Sequence, residues 1–162
     1  MTELRRLLDQ IRQTPGCDLS APRGRPGLRA GHLLPDDLLE FYVLAGGARL
    51  FAQAAYPVRI VGPDDLARAN LEIVGTECPD DLSDSWYIVA RGGRDQAISI
   101  DCAPARLGRC YDSFWDCHGV AGSCRVVARS FTELLRSLVD AGGGYWYWLA
   151  SGAAAHGDAY GG

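Results

Sequence analysis

Four cysteines in the second half of the chain, Cys102, Cys110, Cys117 and Cys124, fall at intervals of eight, seven and seven residues, with His118 beside the third. These are the residue types that ligate zinc, or that serve as thiol nucleophile and base. The spacing speaks against both chemistries. Zinc sites set two ligands a few residues apart so that one tight turn aims both at the ion. Here ligands would converge only across adjacent strands. Cys117 and His118, as neighbours on an extended segment, point to opposite faces, which disfavours a nucleophile–base pair. Cys110 and Cys124 therefore read as small apolar residues buried on strands, and neither metal nor cofactor is expected. His32 and His156 fall in a loop and a tail, where a solvated imidazole is the default. The glycine pairs in "RGGRD" and "LAGGAR" lack the spacing and the lysine of a phosphate-binding loop. No catalytic residue is assigned.

Acids and aromatics offer binding chemistry instead. Asp80, Asp81 and Asp84 cluster in "CPDDLSDS", and "YDSFWDCHG" sets Tyr111, Phe114 and Trp115 between Asp112 and Asp116. Aromatic side chains dominate interface hot spots, while acidic neighbours steer a basic partner. The candidate partner-binding set is Asp80, Asp81, Asp84, Asp112, Phe114, Trp115 and Asp116. A second aromatic run, Tyr145 to Trp148, is expected to cap the sheet or fill the core. Pro22-Arg23-Gly24-Arg25-Pro26 has the form of a minor-groove peptide, and arginine suits that groove. Its flanks lack basic support, however, and the chain carries a formal net charge of -4. Every one of its 16 basic residues is arginine, so an Arg-Gly-Pro string carries little information. Nucleic acid needs a basic surface, so "PRGRPG" reads as a mobile loop and DNA binding through Arg23-Gly24-Arg25 as the lesser alternative.

These residues need a scaffold. At 162 residues, 48% hydrophobic and 22% charged, the chain has the size and composition of one soluble domain. The N-terminus lacks an apolar signal region, and no apolar run approaches the roughly 18 residues of a membrane span; a cytoplasmic location without disulfides is expected. Leu4, Leu7, Leu8 and Ile11 mark one helical face behind Thr2 as N-cap. Residues 14–33 are too rich in proline and glycine for regular structure. Pro35 opens a second helix, with Asp36 and Asp37 at its positive end and Gly46-Gly47 as its stop. From Ala48 to Val127 short strand and turn signals dominate, including "ARLFA", "PVRIV", "SWYIVA" and "QAISID". Ser130, with Glu133 at capping-box spacing, opens the last helix. The order predicts an α+β domain over residues 1–149, with helices, a mostly antiparallel sheet and a C-terminal helix packed on it, then a flexible Gly/Ala tail over 150–162.

That order of signals resembles the SMI1/KNR4 (SUKH) family. Leu34-Pro35-Asp36 followed by Phe41, Leu44 and Gly46-Gly47 is similar to its N-terminal signature. Trp86 to Ala90, the Gly92-Gly93-Arg94-Asp95 turn and Ile98 to Asp101 resemble its central hairpin. Gly108-Arg109-Cys110-Tyr111 and Val126 to Phe131, with Leu134, Leu135 and Leu138, resemble its closing strands and helix. The resemblance covers residues 34–140 and departs at Ala45, where the family usually has asparagine. It implies a non-catalytic protein-binding module, foremost an immunity protein that binds and neutralises a cognate polymorphic toxin of nuclease or deaminase type. The acidic candidates would then face the basic surface of that toxin. The alternative within the same fold is a regulatory or adaptor protein. No membrane and no small-molecule substrate is implied.

Overall fold

Local chemistry sets the helices. The computed structural model describes residues 1–93, 95–150 and 156–161. Helix α1 (Glu3–Gln13) is capped by Thr2, whose hydroxyl accepts from the Arg5 amide, and buries the stripe Leu4, Leu7, Leu8 and Ile11. Helix α2 (Asp36–Leu44) starts after Pro35 and buries Leu38, Phe41 and Tyr42. A short helix α3 (Ala69–Ile73) follows the first strands. Helix α4 (Phe131–Ala141) is capped by Ser130, which accepts from the Glu133 amide, and ends at Gly142 in the left-handed region that glycine tolerates best.

The strands are β1 (Asp18–Leu19), β2 (Ala48–Leu50), β3 (Val58–Ile60), β4 (Ala67–Arg68), β5 (Trp86–Gly92), β6 (Ala97–Asp101), β7 (Cys110–Asp112) and β8 (Val126–Ala128). They form one antiparallel sheet in the order β1-β2-β3-β5-β6-β7-β8, with β4 pairing the first half of β5. This is the predicted α+β arrangement. Helices α1, α2 and α4 cover one face; their apolar stripes join Tyr87, Val89, Ile98 and Ile100 in the main core. The opposite face carries a smaller core of Ala69, Trp86, Ile88, Tyr111 and Cys124, roofed by Ala159 and flanked by Ile73 and Tyr160. Strand β5 is thus buried on both sides, which is why "WYIVA" is uniformly apolar instead of alternating. A bulge between Ile88 and Ala90 resets its register, so the second half of the strand turns Arg91 to the face that Ile88 occupies.

Two segments differ from expectation. The 14–33 loop is tied to the domain on both sides of "PRGRPG". Its Ser20 exchanges backbone bonds with Gly46 and Gly47, and Leu33 N donates to Cys102 O. A Cβ on Gly46 would meet Ala21 O at 2.2 Å, so the glycine pair serves as the dock for this loop as well as the stop of α2. The tail also departs from the expected flexible segment. Residues 151–155 lie outside the described residues, but 156–161 return to the sheet, where Asp158 bridges to Arg125 beside β8. Backbone amides are satisfied there: Val126 N donates to Gly157 O and Ala159 N to Cys124 O. A strand edge needs such partners, and this segment supplies them.

Candidate partner-binding face

The small core positions the binding candidates through two buried polar networks. Trp86 and Tyr111 stack with ring centroids 4.1 Å apart. Both donate to Asp101, the buried residue opposite Trp86 on β6. Trp86 Nε1 lies 3.2 Å and the Tyr111 hydroxyl 2.6 Å from Oδ2. Asp101 also accepts from Ser85 Oγ at 2.7 Å, Ala103 N at 3.0 Å and Arg106 Nε at 3.0 Å. Five donors converge on one carboxylate, so its charge is fully compensated.

The second network runs through His118. Its Nε2 is 2.7 Å from Asn70 Oδ1, and its Nδ1 is 2.9 Å from Ser113 Oγ, which in turn meets Ser99. Asn70 Nδ2 donates to Ser83 Oγ at 2.9 Å, and Ser83 donates to Asp81 Oδ2. Every donor in this relay finds an acceptor if His118 is neutral with its proton on Nε2. Burial holds the His118 pKa below its ordinary value, against the opposing pull of Asp81, which agrees with a neutral ring. Tyr160 from the C-terminal segment completes the relay by donating to Asp81 Oδ2 at 2.6 Å. Burial raises the Asp81 pKa, but the bonds from Ser83 and Tyr160 outweigh it and lower it overall. The relay thereby ties α3, the 77–84 loop and the 113–124 loop to one another.

The seven candidates separate in this setting. Asp112 is buried, contrary to its expected place on an exposed loop. Its Oδ2 accepts from Trp148 Nε1 at 3.1 Å and its Oδ1 from Phe114 N at 3.0 Å. The sequence conceals this because Trp148 lies 36 residues away. Asp84 is bonded to Arg68, with Arg29 also at 3.8 Å, and Asp81 is engaged in the relay. Asp80, Trp115 and Asp116 face solvent, Trp115 with 64% of its surface exposed. Phe114 is half-buried and tilted against Trp115, centroids 5.9 Å apart.

Around this aromatic pair the second sheet face lies open. Trp115 walls a groove of about 400 Å³ whose other sides are Glu72 and Ile73 of α3, Arg91, Asp95 and Ser113. Phe114 lines a neighbouring recess of about 470 Å³ together with Tyr56, Tyr145 and Trp146. Gln96 borders both. The 145–148 run is therefore divided: Trp146 and Trp148 stack and are buried, as expected of a cap, while Tyr145 is 52% exposed and packs on Tyr56. Tyr56 and Tyr145 join the aromatic surface from segments remote in sequence, and only the fold brings them together.

The cysteines sit in apolar surroundings. Burial pushes the thiols of Cys102, Cys117 and Cys124 up to about 12, and that of Cys110 well above its ordinary value, the reverse of a reactive thiolate. Among the described residues, no group of three or more His, Cys, Asp or Glu is placed to hold a metal ion. Nor is any described helix long and apolar enough to cross a membrane.

The fold, its Leu-Pro-acid helix and its glycine dock place the chain by class: it belongs to the SMI1/KNR4 family (SUKH-1), whose model matches residues 29–137. Among individual proteins it is similar to "Immunity protein YokJ" of Bacillus subtilis (strain 168), 43% identical over 156 residues that cover 96% of this chain and 94% of that protein. No solved structure matches the chain.

Proposed function

We propose that this protein is an immunity protein that acts in the cytoplasm by binding a cognate toxin and occluding its working surface. The observation that carries this reading is the 43% identity to an immunity protein along nearly the full length of both chains. The binding face is the open side of the sheet around Trp115, with Phe114 and the solvent-facing Asp116 beside it and the exposed Asp80 as a further steering acid. Aromatic anchors supply contact area at low entropic cost, and free carboxylates steer a basic surface of the kind nucleases and deaminases expose to nucleic acid. Occlusion asks for no bond-making step, consistent with suppressed thiols and a fully engaged His118. Co-expression tests the reading. An immunity gene should lie beside its toxin's gene; cells expressing the toxin domain found there are expected to survive when the protein is present and die when it is absent, and death in both cases refutes the reading.

A further inference from the structure

Directly opposed residues on the open sheet face form a row: Asp18, Arg49, Arg59 and Arg91, across β1, β2, β3 and β5. Opposed residues share a face, and like charges so placed repel. With strands about 4.8 Å apart, the three arginine stems span about 10 Å. The outer two are neutralised from the sides. Arg49 Nη2 meets Asp18 at 2.9 Å and Arg91 is bonded to Glu72 of α3. Arg59, between two cations, is different: among the described residues its ion-pair partner is Asp65 at 3.9 Å, beyond hydrogen-bonding distance. Its side chain is 50% exposed. A groove of about 370 Å³ opens over all three arginines, with Leu50, Pro57 and Val58 in its lining. Arg91 and Gly92 also line the Trp115 groove, so the two recesses adjoin.

We propose that this arginine ladder docks carboxylates of the protein partner: two or three Asp or Glu side chains within about 10 Å of one another, the spacing set by the strands, centred on Arg59. A guanidinium fork matches a carboxylate in plane and spacing, and an incoming acid gives Arg59 the close partner that Asp18 and Glu72 give its neighbours. The net charge of -4 repels any anion at long range, but a polyphosphate more strongly than two or three carboxylates on a protein surface, which favours the latter. That the partner is a protein rests on the function proposed above.

The test uses the full chain, labelled with nitrogen-15 and titrated separately with N-acetyl-triglutamate amide, N-acetyl-triglutamine amide and a twelve-nucleotide single-stranded DNA. The glutamate peptide is expected to shift the amides of β2, β3 and β5, and Arg59→Gln to weaken its binding at least tenfold while leaving the melting temperature unchanged or raised. An equal response to the glutamine peptide, undiminished affinity in Arg59→Gln or tighter binding of the DNA overturns the assignment. So does a lowered melting temperature in that variant, which would make Arg59 a structural residue. The peptides contain no toxin, so the two readings fail separately. Peptide binding without rescue in co-expression sinks the toxin reading, and rescue without peptide binding sinks the ladder.

Discussion

Asp101 and His118 show how single side chains hold the small core. Removing the Asp101 carboxylate strands the indole N–H of Trp86, the hydroxyl of Tyr111 and the guanidinium of Arg106 around an apolar void. Breaking a buried charge-centred network costs about 3–5 kcal/mol, so Asp101→Ala is expected to lose stability of that order in urea unfolding, with the slope unchanged. A loss below about 1 kcal/mol, the worth of one ordinary hydrogen bond, would refute the network's role. His118 makes stability depend on pH. Its folded pKa lies below the value of about 6.5 that it takes in the unfolded chain, so the unfolded state binds the extra proton. The contribution is complete above pH 6.5 and shrinks as pH falls through that value towards the folded pKa. His32, lowered first by burial and then by Arg68, acts in the same direction. The melting temperature is therefore expected to fall between pH 7.5 and 5.5, with a shallower slope in His118→Gln. Asp81 and Asp158, both held below the usual carboxylate value, act in a separate window below about pH 4.

Elements were legible wherever the signal was local. Thr2 and Ser130 cap the helices they were expected to cap, and the apolar stripe of α1 is the buried one. What sequence conceals is pairing at a distance. Asp37 looks like a first-turn acid suited to the helix dipole, yet its Oδ2 accepts from the amide and the hydroxyl of Thr132, both at 2.8 Å, fastening α2 to the start of α4. The acids and rings of "YDSFWDCHG" look like one exposed loop, but the strand pairing of β7 turns Asp112 inward while the next turn carries Trp115 outward. The Gly/Ala tail has no apolar periodicity, so nothing local announces that Asp158 closes the edge of β8. Asp158 accepts from Cys124 N at 2.8 Å, Gly122 N at 3.0 Å and Tyr160 N at 3.0 Å. Bonds to a charged acceptor contribute a net of about 1.5–3 kcal/mol each, and solvent screening at this partly exposed carboxylate cuts the sum well below three times that. Asp158→Ala is therefore expected to cost about 2 kcal/mol and, more tellingly, to speed hydrogen exchange at Val126 and Ala159 while leaving the amides of β5 protected. Uniform acceleration across the sheet would show that the segment is no separate unit.

At the scale of the molecule, the sheet has two unequal faces, and the proposed binding role rests on that inequality. Three helices close one face. Among the described residues the other is covered by α3 over β4 and the first half of β5 and by residues 156–161 beside β8, which leaves β2, β3 and the end of β5 open beside Trp115. This open half mixes signs, with solvent-facing Asp116 next to Trp115 and the arginine ladder across β2, β3 and β5. A partner must match both, a stronger demand on specificity than a single-sign patch would make. Rings and charges should then separate kinetically. Trp115→Ala removes an exposed anchor and is expected to weaken binding of the toxin domain at least tenfold, mainly through faster dissociation. Asp80→Asn combined with Asp116→Asn is expected to slow association at low salt and to flatten its salt dependence, with dissociation little changed. Surface plasmon resonance between 50 and 500 mM salt distinguishes the two. Because these residues are exposed and outside the Asp101 and His118 networks, their melting temperatures should match the parent protein. If Trp115→Ala binds and protects as the parent does, the toxin docks elsewhere and the open face is not its site.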